Sequence, residues 1–372
     1  MAKINVRSPY YIHDTVSNLT TDRIDIYIYT GTQTTDRPSV ATYSLTSNAI
    51  DDKVTFEISE LIKDYFSNNF DGDYASDFYW VDYEIFRSVS GGSEVSQGVV
   101  QLRGFYGYGF YEDGVNPQND SGLLQTNNKI IKLDDAPAVI PVDTSKTTQV
   151  TYELNGEQIY TKAITSSAEN DEQIEYVTNG VNGADEFEDR VLQDGGTFED
   201  SVCLQEFVDD FTLFDFDTIY VDTDDGVIKL TVENIEECKY QPYKVTFINK
   251  FGALQDIWFF KRTNEVLTTK KEEFKRNITI DGSFNISKHQ NKILTKNGSE
   301  KLTLNTGFYP EAYNEVFKQM QLSEDCWIEI NSQTLPINIS GSSFSYKTHL
   351  NDKLINYTIE LDFAFDTINN IR

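Results

Sequence analysis

The chain of 372 residues carries 60 Asp/Glu against 31 Lys/Arg, a formal net charge of −29. That length predicts two or three domains, each able to bury its own core, and the acid surplus argues against nucleic-acid binding, which needs Lys and Arg to replace the counterions of phosphates. Three widely spaced cysteines and only three histidines, with no CxxC motif, leave no zinc ligand set.

The charge is uneven. Residues 1–168 hold 23 acidic and 12 basic groups, residues 169–237 hold 22 and 2, and residues 238–372 hold 15 and 17. The surplus is therefore a local feature of one segment, and it reads as a solvated, self-repelling surface. No run is long and apolar enough to predict a membrane-spanning helix. The N-terminus lacks the apolar region of a secretion signal, and unpaired thiols suit synthesis in a reducing cytoplasm.

In chain order, residues 1–20 read as an extended arm or edge strand, since Pro9 has no amide hydrogen to donate. Residues 22–31 alternate strictly, with Ile24, Ile26 and Ile28 on one face, which predicts a half-buried strand. Residues 40–45 and 53–58 read likewise. Ser59 is placed to cap a short helix whose Leu61, Ile62, Tyr65 and Phe66 share a face. An aromatic strand over 78–89, a Gly91-Gly92 turn and a return strand over 94–103 follow.

Residues 104–117, GFYGYGFYEDGVNP, alternate glycines with aromatics. The order is not G-x-G-x-x-G, and neither Lys-Ser/Thr nor a helix start follows, so a phosphate loop is not indicated. The composition instead predicts a strand that bends closely against another backbone. Phe105, Tyr106, Tyr108, Phe110 and Tyr111 are the candidate contact residues, for a protein partner or a host glycan.

Residues 123–133 read as a strand running into a Pro-containing linker over 134–142. Short strands at 148–152, 158–165, 173–178, 217–221 and 227–233 then have the spacing of an Ig-like sandwich. Between them, residues 179–216 form a long acidic loop studded with Phe. Calcium is the natural question there, but aligning Gly226 with the glycine of an EF-hand puts Val221 and Thr223 at ligand positions, and the pattern fails. Residues 245–262, VTFINKFGALQDIWFFKR, predict a β-hairpin with Gly252 at positive φ in its turn. A polar, basic, extended arm over 263–300 follows. Pro310 then opens a helix whose Tyr313, Val316, Phe317 and Met320 face the core, and strands at 327–330, 335–339, 343–348 and 354–365 complete the chain.

The expectation is a mainly β protein: two or three β-sandwich (Ig-like) domains with short helices and extended arms. The domains are 1–140, an acidic one over 141–244 with the loop 179–216, and 245–372 with the hairpin 245–262 and the arm 263–300. No G-x-S-x-G elbow, paired nucleophile and base, or metal constellation is present, so no catalytic residue, metal or cofactor is expected.

Six stretches carry a resemblance: INVRSPYYI, GFYGYGFYEDGVNP, FINKFGALQDIWFF, LTLNTGFY, LSEDCWIEI and LINYTIELDFAFDTINNIR. Together they resemble tail, ring and baseplate-type structural proteins of tailed bacteriophages, particularly crAss-like and related phages of Bacteroidetes. The resemblance leaves 169–237 uncovered. It implies a non-enzymatic virion subunit assembled in several copies, with copies of itself and other tail proteins as partners. A carbohydrate- or receptor-binding surface module is the alternative expectation.

Overall fold

The computed structural model describes residues 2–118, 121–134, 136–165, 173–178, 216–280, 282–341, 345 and 354–368. The described residues are mainly β, arranged in several sheets with two short α-helices. The chain divides into two units. Unit 1 comprises Met1–Glu236 and Phe247–Ile257, and unit 2 comprises Glu237–Thr246 and Trp258–Arg372. The boundary expected near residue 140 falls inside a strand of unit 1.

Unit 1 begins with β1 (Ala2–Asn5), β2 (Tyr11–Thr15), β3 (Leu19–Tyr29), β4 (Tyr43–Asn48) and β5 (Lys53–Glu57). Helix α1 (Ser59–Lys63), β6 (Tyr79–Val89) and β7 (Val95–Phe105) follow. Five strands form a sheet in the order β1-β7-β6-β3-β4, and β2 pairs with β5. Ile24 and Ile26 of β3 are fully buried, as their alternation predicts.

Of the arm or edge strand expected over residues 1–20, β1 is the latter, standing at one edge of its five-stranded sheet. β1 lies parallel to β7, from Ala2↔Leu102 to Asn5↔Phe105, because Ile4 and Val6 are completely buried and anchor it. Ser59 is the first helical residue rather than the cap. Its N–H donates to the Glu57 carboxylate at 2.9 Å, so the acceptor comes from the preceding strand.

The rest of unit 1 holds β8 (Lys129–Leu133), β9 (Val139–Asp143), β10 (Thr147–Leu154), β11 (Glu157–Ala163), β12 (Ile174–Thr178), β13 (Thr218–Thr223) and β14 (Gly226–Ile235). A second five-stranded sheet runs β11-β10-β13-β14-β8, and β12 pairs with β9. Ile140, Val142 and Val177 from the two-stranded pair share one buried cluster with Val150, Tyr152, Ile219, Val221 and Leu230 from the five strands. The linker expected over 134–142 thus contains a strand. Pro141 is tolerated because on the side where its carbonyl accepts from the Leu124 N–H at 2.9 Å, β9 meets only an isolated bridge, Leu123↔Val142, rather than a continuous ladder. The acidic loop over 179–216 lies outside the described residues except Phe216, which is buried with its ring 5.2 Å from that of Tyr152.

The chain continues with β15 (Tyr243–Ile248), β16 (Leu254–Phe259), β17 (Lys261–Lys275), β18 (Thr279–Ile280), β19 (Ser283–Phe284), β20 (Asn291–Asn305) and β21 (Tyr309–Pro310). Helix α2 (Asn314–Leu322), β22 (Cys326–Ile330), β23 (Gln333–Ile339), β24 (Leu354–Ile355) and β25 (Thr358–Phe363) complete it. Seven strands form one sheet in the order β16-β15-β22-β23-β25-β20-β17. The β15–β16 hairpin matches the sequence expectation, with Gly252 at φ +81°. Its tip belongs to unit 1 and its base to unit 2.

Val316, Phe317 and Met320 of α2 are fully buried, and the Phe317 ring lies 4.8 Å from that of Tyr357. Pro310 stands one step earlier than expected, preceding a 3-10 turn over Glu311–Tyr313 that leads into α2. The arm over 263–300 is not a single extended chain. It folds back as the β17–β20 ribbon, because Gly282 at φ +78° allows Ile280 and Ser283 to pair at its end. Apart from Ser345, the strand expected over 343–348 lies outside the described residues.

Candidate functional site

Of the candidate contact residues, Phe105 and Tyr106 are buried, Tyr108 and Phe110 are half-buried, and only Tyr111 is fully exposed. The stretch they belong to is largely an internal junction of unit 1. Val6 and Arg7 donate backbone hydrogen bonds to Phe105 and Gly107, each at 3.0 Å. The Arg7 guanidinium stacks 4.7 Å from the centre of the Tyr108 ring. Asn116, in the left-handed region at φ +47°, accepts from the Asn5 N–H at 3.0 Å and donates to the carbonyls of Asn5 and Ser8. Tyr111 opens a 3-10 turn, Tyr111–Asp113, closed by the Asp113 carboxylate on the Phe110 N–H.

The hairpin tip packs on the other side of this stretch. Tyr108 donates its N–H to the Lys250 carbonyl at 2.8 Å. A Cβ on Gly107 would lie 2.8 Å from that same oxygen, and one on Gly252 would lie 2.9 Å from the Tyr106 nitrogen. The close backbone approach that the glycine-rich composition predicts is thus present, and its partners are the N-terminal strand and the hairpin tip. Within the tip, Asn249 Oδ1 accepts from the Phe251 and Ala253 amides. Asn249 Nδ2 donates to the Leu124 carbonyl at 2.8 Å, and Leu254 donates its N–H to the Tyr176 hydroxyl at 2.8 Å.

Buried charges hold unit 1 together at two places that the sequence did not flag. The Lys3 ammonium sits 2.5 Å from Asp143 Oδ2, and Arg103 reaches Asp143, Ser145 and Gln173 through one nitrogen. Burial raises the Asp143 carboxyl pKa, but Lys3 and Arg103 outweigh it and hold the carboxyl below its usual range. At the second place, Arg87 forms a two-pronged ion pair with Asp14, 2.7 Å on its Nε side, and holds that carboxyl low. Asp22 beside them is fully buried; burial first, then the Asp14 charge, pushes its pKa up to about 6. Asp143 thereby joins β9 to side chains of β1 and β7, and Asp14 joins β2 to β6.

A cleft of about 800 Å³ in unit 1 is lined by Tyr74, Ser76, Asp77, Lys162, Glu175 and Tyr176 among others. Lys162 and Glu175 pair at 3.2 Å. Burial pushes the Tyr176 hydroxyl up to about 12, so it keeps its proton, and it is already engaged by Ser76 and the Leu254 amide. No group of three or more His, Cys, Asp or Glu among the described residues is arranged to hold a metal ion, and no described helix is long and apolar enough to cross a membrane.

The third feature is the β17–β20 ribbon of unit 2. Its strands pair from Lys261↔Asn305 to Lys275↔Asn291, with fifteen residues in each and a span of about 50 Å. β25 covers β20 only from Lys301 to Asn305, and the segment after it reaches Gly298 through the Thr367 N–H at 2.9 Å. Beyond that point both faces are exposed. The apolar side chains of Phe284, Ile286 and Leu294 are 62%, 89% and 65% exposed, too much for any packing role within the described residues. The sequence concealed this ribbon because a strand pair wet on both faces has no apolar period; Gly282 between two short β-prone runs was the available signal.

Compared with protein-family models and with curated proteins, the chain matches none.

Proposed function

We propose that this protein is a non-enzymatic structural subunit of a bacteriophage virion tail, a ring, adaptor or baseplate component assembled in several copies. The observation that carries the reading is the exposed ribbon. Two long strands without a core of their own stabilise an isolated chain little, while apolar side chains held far out on them suit a surface covered by a neighbour.

Features within unit 1 support a load-bearing role. The two sheets of β8–β14 enclose one core and are read as an Ig-like sandwich. The buried Lys3–Asp143–Arg103 trio ties the first strand to the β9 end of that sandwich. Tyr111, the one fully exposed aromatic of the Gly/Tyr stretch, is a lesser contact candidate. Partners on this reading are copies of the chain and other tail proteins, with the virion as its location.

The test is mass spectrometry and antibody labelling of purified particles from a phage encoding the chain. Stoichiometric presence on the tail is expected. Absence from intact virions, with the protein present in the lysate, would refute the reading.

A further inference from the structure

The charge of this chain is segregated. The ribbon, residues 261–305, carries ten Lys/Arg and five Asp/Glu, a net of +5. The described residues of unit 1 carry 29 Asp/Glu and 14 Lys/Arg, a net of −15. We propose that the outer part of the β17–β20 ribbon docks on the acidic surface of unit 1 of a second copy of this chain. The proposal deepens the structural-subunit reading and rests on it for the presence of a second copy.

Three observations select this occupant. Charge complementarity is built in, because the only strongly basic element among the described residues belongs to an otherwise acidic molecule. The outer part of the ribbon also carries the exposed apolar groups, Phe274, Phe284, Ile286, Ile293 and Leu294, which supply the desolvated centre that charge alone does not. Finally, the lysines stand on both strands. Lys271 and Lys296 occupy one rung and Lys292 faces Phe274 on another, so they do more than guard the free edge of β17 against stray pairing.

Two other occupants fit less well. Ribbon against ribbon would oppose like charges across a symmetric contact. Nucleic acid would have to approach a molecule of net −29, with the acids Glu265, Glu272, Glu273 and Glu300 interleaved among the lysines. A contact between different surfaces of identical chains is head-to-tail, and it generates a ring if the rotation closes and a filament if it does not.

Sedimentation and light scattering of the full chain test this at about 0.05 M and about 0.5 M salt, between which screening shortens the reach of exposed charges severalfold. Self-association at low salt, weakened about tenfold or more at high salt and by the triple variant Lys271→Glu, Lys292→Glu, Lys296→Glu, is expected. A second variant replaces residues 272–295 with Asn-Gly, so that Lys271 and Lys296 flank a two-residue turn. That chain keeps an intact unit 1 and can receive a ribbon but cannot donate one. Mixed with the native protein, it should cap assemblies and lower their mean mass.

A native chain that stays monomeric at both salts would overturn the proposal. So would association indifferent to salt and charge reversal, a shortened chain that fails to cap, or tighter binding to duplex DNA than to itself. The virion assay separates the two readings: a monomer in solution that is nonetheless found on the tail removes this contact and leaves the structural role standing.

Discussion

Replacing Gly252 by alanine tests whether the hairpin tip is seated as tightly as the geometry indicates. The new Cβ meets the Tyr106 nitrogen at 2.9 Å and the Gly107 nitrogen at 3.0 Å, both backbone atoms with no rotamer to yield. Forcing them apart costs about 1–3 kcal/mol as overpacking. It also stretches the 2.8 Å bond from the Tyr108 N–H to the Lys250 carbonyl, which contributes about 1 kcal/mol. Holding an L-residue at φ +81° adds about 1–2 kcal/mol.

Gly156 is the control within the same unit. It sits at φ +83°, and a Cβ there meets nothing within 4 Å. Gly156→Ala therefore carries the backbone cost alone, and the gain from a less flexible unfolded chain is common to both variants. The difference between them should be about 2–4 kcal/mol. Urea unfolding followed by tryptophan fluorescence reads it, in a background where Trp258 and Trp327 are phenylalanine so that the buried Trp80 of unit 1 reports alone. Equal destabilisation by the two substitutions would refute the seating of the tip on the Gly/Tyr stretch.

The other expectations concern buried charge and the second core. Asp143→Asn leaves Lys3 and Arg103 uncompensated in the interior and should cost about 3–5 kcal/mol in the same urea assay. Because Asp143 titrates below its ordinary value of 3.8, its stabilisation is present above that pH and is lost as pH falls further. Asp22 has the opposite sign: with its pKa raised from 3.8 to about 6, the stability it contributes is complete below pH 3.8 and is lost as pH rises through about 6. Asp22→Asn should therefore flatten the decline of unit 1 stability between about pH 4 and 6, and an unchanged profile in that variant would assign the decline elsewhere. In unit 2, Phe317→Ala empties a fully buried site beside Tyr309 and Tyr357, and should lower stability by about 3–5 kcal/mol when Trp327 is the reporter.

Where one face of an element meets the core, its place is written locally. The alternation of Ile24, Ile26 and Ile28 and the helical spacing of Val316, Phe317 and Met320 needed nothing beyond their neighbours to be read. The hairpin over 245–262 was legible for the same reason. What escaped depends on distant partners. The pairing of β1 with β7 joins residues about a hundred positions apart, and nothing in AKIN announces a parallel partner.

Pro141 disguised β9 as a linker because proline is a poor strand signal except at an edge. The Gly/Tyr stretch revealed that some backbone comes close, but not that the N-terminal strand and the hairpin tip supply it. The same aromatics were read as a surface, and the burial of Phe105 and Tyr106 shows how poorly composition separates an outer contact from an inner one. The Lys3–Asp143–Arg103 trio has no sequence signature at all, since it assembles from three charges that look solvated in isolation.

The division of the β15–β16 hairpin between the two units has a consequence for how the chain is made. Unit 1 is discontinuous: its last piece, Phe247–Ile257, emerges from the ribosome only after Glu237–Thr246 of the other unit has been synthesised. Until then the amide of Tyr108, the carbonyl of Leu124 and the hydroxyl of Tyr176 have no tip to meet. A fragment stopped at residue 236, where a linear reading of domains would cut, is an unfinished body with an open slot, whereas one carried through residue 257 holds every strand that unit needs.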